Sequence, residues 1–87
     1  MKLLLTSNGL CNKSIVKALA DLLEKPFNKS KLAFIPTAAN VEAGNKSWVI
    51  NDLKNCDELG WELLDIVDFT ALDQDMWKDR LNRADVL

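Results

Sequence analysis

At 87 residues the chain is at most one small domain, and 48% hydrophobic with 28% charged residues is the balance of a folded protein rather than a disordered one. A net charge of −2, with the Lys and Arg residues scattered, leaves no basic footprint for nucleic acid or an anionic membrane. There is no histidine, so these residues alone hold no Ser–His or Cys–His mechanism and lack the commonest metal ligand.

Met1–Leu5 (MKLLL) begins like a signal peptide, but its apolar run stops at Thr6-Ser7-Asn8-Gly9, far short of an h-region. No later stretch reaches transmembrane length, and the expectation is a cytoplasmic protein with no membrane partner. Lys2–Thr6 reads as a first strand. Asn12 has the chemistry of an N-cap for a helix from Lys13 to about Glu24, with Ile15, Val16, Leu19, Leu22 and Leu23 on one stripe. Pro26 disfavours helical geometry at Lys25 and ends that helix.

Leu32-Ala33-Phe34-Ile35 is a continuous apolar run, suited to a parallel strand buried on both faces and interior to its sheet. Phe34 and Ile35 are expected in the core. Pro36 has no N–H for a ladder and closes the strand, and a loop of small residues follows over Thr37–Gly44. Asn45 is the next candidate cap, for a helix carrying Val49, Leu53 and Cys56 inward, with Trp48 beside the stripe and Gly60 at its left-handed end. Trp61–Val67 reads as a third strand. Thr70 and Asp73 have capping-box spacing before a helix that runs to about Asn82 and buries Leu72, Met76, Trp77 and Leu81. Ala84–Leu87 looks like the start of a fourth strand.

The order is β-α-β-α-β-α-β. Strict alternation predicts an α/β fold, a three-layer parallel sheet with right-handed crossovers and helices on both faces. The triplet Asn-Lys-Ser recurs at Asn12, Asn28 and Asn45, as two helix caps and a turn rather than as glycosylation sites or a structural repeat.

Several chemistries can be weighed. Cys11 and Cys56 sit in different elements without metal-ligand spacing, and free, packed thiols are expected. No Gly-x-Ser-x-Gly elbow exists around any serine. Thr6–Gly9 follows a strand and precedes a helix, as phosphate loops do, but it lacks both the glycine-rich spacing and a Walker Lys-Ser pair. Asp65, Asp68, Asp73, Asp75 and Asp79 are dense, yet they lack a Ca²⁺-loop register and read as a solvated helix and its approach. The tryptophans suit packing better than base stacking, with no basic groove beside them. No cofactor or metal is expected.

Taken together, LLLTSNG at Leu3–Gly9, AFIPTAAN at Ala33–Asn40, a Trp-containing helix and a final Asp-Val-Leu strand resemble the N-terminal part of the peptidase E family. The resemblance runs the whole length of the chain, and Pro-Thr-Ala-Ala is its most specific piece. It implies an incomplete class I glutamine amidotransferase-like (flavodoxin-like) domain over residues 1–87. In the family, full-length proteins are serine peptidases that hydrolyse dipeptides with an N-terminal aspartate. The family's Gly-rich loop, serine elbow and histidine would follow Leu87, so no catalytic residue maps onto this chain. Only Ser7, Asn8 and Gly9 and, in the second loop, Pro36, Thr37, Ala38, Ala39 and Asn40 correspond to parts near the active-site end of the sheet, as candidate cleft-lining residues. The expectation is therefore a scaffold portion, inactive alone, that meets a peptide substrate only when the C-terminal part is present. It is also expected to self-associate through uncovered sheet or helix surface. The alternative is a small non-catalytic α/β binding or interaction module.

Overall fold

The computed structural model describes residues 2–87; Met1, the first residue of the signal-like run, lies outside them. Four helices and a two-stranded parallel sheet make up an α/β fold: α1 (Lys13–Leu23), β1 (Lys31–Phe34), α2 (Thr37–Val41), α3 (Ser47–Asp57), β2 (Leu63–Ile66) and α4 (Gln74–Arg83). A short 3-10 turn at Phe27–Lys29 leads into β1. No described helix is long and apolar enough to cross a membrane.

The helix ends follow their capping chemistry in part. Asn12 Oδ1 accepts the Ile15 N–H at 2.9 Å, satisfying one of the donors that a helix start leaves open. At the other end of α1, Glu24 takes a left-handed conformation (φ +63°), and its N–H donates to Ala20 O. Asn45 stands one residue outside the cap of α3 and accepts the Ser47 N–H at 2.8 Å, while Lys46 occupies the cap position itself. Gly60, with φ +76°, turns the chain out of the α3 exit, the conformation that a Cβ disfavours. The expected Thr70–Asp73 capping box does not form. Thr70 bonds Asp68 instead, and Asp73 caps α4 without a side-chain bond.

β1 is the organising strand. It pairs β2 in parallel, from Lys31 opposite Leu63 to Phe34 opposite Ile66. Its other edge meets the last residues of the chain, where the Ala33 N–H donates to Val86 O and the Val86 N–H to Lys31 O. Ala84–Leu87 thus begins a strand-like approach but contributes a single bridge. Asp85 anchors it, accepting the Lys31 N–H at 2.8 Å and Lys25 Nζ at 2.9 Å.

Lys2–Thr6 is not a strand, although its leucines suit one. Both edges of β1 are already taken, and a cavity of about 690 Å³ separates the N-terminal segment from the sheet. Leu3 and Leu5 are accordingly exposed. The same cavity displaces the expected core. The fully buried positions are Val67 and Ser30, with Leu32 and Ala33 close behind. Phe34 is half-buried and Ile35 is 38% exposed, because both border the open space instead of packed helices. Leu19 of α1 and Cys56 of α3 face that space too.

On the other side, Arg80 of α4 reaches Asp65 of β2 through Nε at 2.8 Å and a second, bidentate contact, and also bonds Ile66 O. Trp77 packs against Phe69 at a tilt with ring centroids 4.6 Å apart, and Trp61 against Phe27 likewise at 4.8 Å. Trp61 Nε1 donates to Cys56 O. Trp48 and Met76, expected beside or in the core, are half-exposed on the outer faces of α3 and α4. Cys56 is buried and Cys11 exposed, and both are free thiols.

Candidate functional site

Parallel, in-register strands bring their C-terminal ends to one edge of the sheet, where open α/β folds gather binding groups. Here β1 and β2 end side by side, and the last rung is the Val67 N–H donating to Phe34 O at 2.8 Å. Beyond it the two chains turn apart. Pro36, buried, starts α2; Asp68 starts the loop toward α4.

The expected open loop at Thr37–Asn40 is therefore a short helix through Val41. Its small residues suit that tight turn, and the Asn40 N–H donates to Pro36 O at 2.9 Å. Ala38 is exposed and Ala39 half-buried. The side chains of Thr37 and Asn40 point to a common acceptor, Asp68. Thr37 Oγ1 donates to Asp68 Oδ1 at 3.1 Å and accepts the Phe69 N–H at 2.9 Å, while Asn40 Nδ2 donates to Asp68 Oδ2 at 2.7 Å. Thr70 adds its N–H at 2.9 Å and its hydroxyl at 2.7 Å, both to Asp68 Oδ1.

Four donors on one carboxylate stabilise its charged form. The Thr70 hydroxyl and N–H, then Asn40 and Thr37, hold Asp68 down at about 2. Such a group is a poor proton acceptor near neutrality and a good anchor. Asp68 was hidden in the run of aspartates that read as a solvated approach to a helix. The signal that marks it is Asp-Phe-Thr directly after an apolar strand, the spacing of a turn in which Asp accepts from the residue two ahead. The other aspartates do not join it: Asp65 pairs with Arg80 and Asp79 with Arg83.

Ser7, Asn8 and Gly9 lie elsewhere. Ser7 and Asn8 are exposed, and Gly9 sits against α3 with φ +58°, where an added Cβ would stand 3.3 Å from Asp52 Oδ1. Thr6 and Gly9 border the apolar cavity. Among the described residues, no hydrogen bond ties Ser7–Gly9 to the Asp68 group, so the two candidate loops are not brought together directly.

No poised nucleophile emerges. Burial, with Asp52 adding to it, pushes the Cys56 thiol up, which keeps it protonated. Among the described residues no three His, Cys, Asp or Glu side chains converge as a metal site. A family model described as Peptidase family S51 matches residues 3–87. No curated protein and no solved structure matches the chain.

Proposed function

Because the chain belongs to peptidase family S51, we propose that residues 3–87 are the N-terminal scaffold of a peptidase E-like serine dipeptidase, acting on dipeptides with an N-terminal aspartate. The observation that carries this reading is the family match over nearly every residue. Two features support it: the parallel β1–β2 pair, and a hydrogen-bonded wall at its C-terminal edge. The chain holds no histidine, so the histidine base of that mechanism belongs to residues other than these, and on this reading the serine nucleophile lies with it. In such a reaction serine attacks the peptide carbonyl, histidine takes the serine proton and passes it to the leaving amine, and backbone N–H groups stabilise the oxyanion. The part of residues 36–40 is to wall one side of the cleft that receives the peptide. The parent domain is a three-layer, flavodoxin-like α/β unit working in the cytoplasm, and residues 3–87 alone associate through their open apolar surface.

The test is release of free aspartate from an Asp-Leu dipeptide by the 87-residue chain, against a buffer blank and a Ser7→Ala variant. No release above the blank is expected. Turnover that disappears with Ser7 would overturn the scaffold reading. The gene 3′ of the Leu87 codon is expected to run in frame into a Gly-rich loop and a serine elbow. An immediate stop with no remnant of either would favour a small binding module instead.

A further inference from the structure

α2 is an unusual element to find ordered. It has only five residues, far fewer than a helix needs to hold itself together in water, and no residue in it is fully buried. Its last residue, Val41, is 73% exposed. Apolar packing therefore does little to fix it. Pro36 supplies a buried pivot, and beyond that the ties from α2 side chains to the rest of the fold are Thr37 and Asn40, which both end on Asp68 or its neighbour Phe69.

We propose that Asp68 is a positioning residue for the candidate cleft: its carboxylate, just past the end of β2, holds Thr37–Val41 in place past the end of β1, and protonating that carboxylate loosens the wall. The division of labour between its oxygens makes the anchor directional. Thr70 orients the carboxylate from its own loop through Oδ1, so the group is pre-set before α2 docks. Thr37 then adds to Oδ1, and Asn40 alone occupies Oδ2. The facing groups are hydroxyls, an amide and an N–H, with no cation among these bonds, so the attraction rests on hydrogen bonds to a charge rather than on an ion pair. Thr37 links the anchor to the loop backbone as well, since the same hydroxyl that donates to Asp68 accepts from Phe69.

The sign of the pH dependence follows. The folded carboxylate titrates below its unfolded value of about 4, so its hold on α2 is complete above that value and is lost as pH falls toward about 2. The description of this segment as a cleft wall rests on the proposed function. The anchoring does not, and its test needs no hydrolysis.

Hydrogen exchange on the chain reads it directly, with rates corrected for the intrinsic effect of pH and with Ala33, in β1, as the internal reference. Asp68→Ala is expected to speed exchange at Asn40 and Glu42 by about tenfold or more relative to Ala33, the scale set by losing hydrogen bonds to a charged acceptor. Asp68→Asn keeps the shape and, with the Asn40 amide turned over, most of the bonds. It should restore much of the protection while abolishing its loss between about pH 4 and pH 2. Asn40→Ala removes only the Oδ2 arm and leaves the Thr70 turn intact, so it should loosen the same amides should the Asp68 variants fold poorly. The proposal is overturned if Asp68→Ala and Asn40→Ala leave Asn40 and Glu42 unchanged relative to Ala33. It is equally overturned if Asp68→Asn keeps the acid dependence of the parent chain.

Discussion

Val67 has no exposed surface, whereas Ile35, the residue directly after the strand that organises the fold, is 38% exposed. Hydrophobic stabilisation scales with the area removed from water, so these two aliphatic residues should respond differently to truncation. Val67→Ala is expected to destabilise by about 2–3 kcal/mol, from the lost methyl groups and the cavity they leave. Ile35→Ala is expected to lose less than about 1 kcal/mol, because one side of that residue already faces open space. Equilibrium urea denaturation of both variants checks the order, and equal losses would place Ile35 in the core. Asp85 supplies a second test at this scale. Its bond from Lys25, then that from the Lys31 N–H, hold its carboxyl below the ordinary range. A lowered folded value means that stability is fully present above the unfolded range near pH 4 and falls as acid protonates the group. Asp85→Asn keeps an acceptor for Lys31 but loses the charge. Its acid unfolding profile should therefore be flatter below about pH 4 than that of the parent chain.

At the scale of elements, the best-read parts were those whose signals are local. Asn12 before an apolar stripe marks α1, and Asn12→Ala should cost about 1 kcal/mol of thermal stability through the orphaned Ile15 N–H. The end of α1 was placed correctly by Pro26, but its chemistry was not visible: Glu24 holds a left-handed conformation that L residues disfavour. Glu24→Gly relieves that strain and gives up only the exposed ion pair to Lys2, so a net gain of about 0.5 kcal/mol and a raised Tm are expected. The misread elements depended on distant partners. Leu3–Leu5 has the composition of a strand, yet whether it becomes one depends on reaching a sheet edge, and a cavity lies between it and β1. Thr37–Asn40 looked like a loop because its residues are small, and its helix is held by an aspartate far along the chain. Asp68 is legible only in part: its turn with Thr70 is written in Asp-Phe-Thr, but nothing near it in sequence announces Thr37 and Asn40.

The molecule as a whole is more open than its size requires. A folded monomer of 9.8 kDa is expected to expose about 5,200 Å², and this one exposes 6201 Å². Exposed apolar groups contribute to it. They line the cavity between α1, β1 and the N-terminal segment, and they include Leu3, Leu5 and Leu87, with Leu63 and Ile66 on the sheet edge that pairs with nothing else described. Open apolar surface and unpaired strand edges favour association. Sedimentation velocity at micromolar concentration should show a dimer or larger species, and a monomer that stays clean on concentration would refute this expectation.

The position of β1 between two later partners also orders events in time. Asp85, which fastens Val86 across β1, lies 54 residues after the Lys31 it grips. At the pace of translation, about 5–20 residues per second, the most apolar stretch of the chain waits some 3–10 s on the ribosome before that edge can close. During that interval Leu32-Ala33-Phe34-Ile35 is an uncapped apolar segment of a nascent polypeptide, open to whatever shields emerging chains.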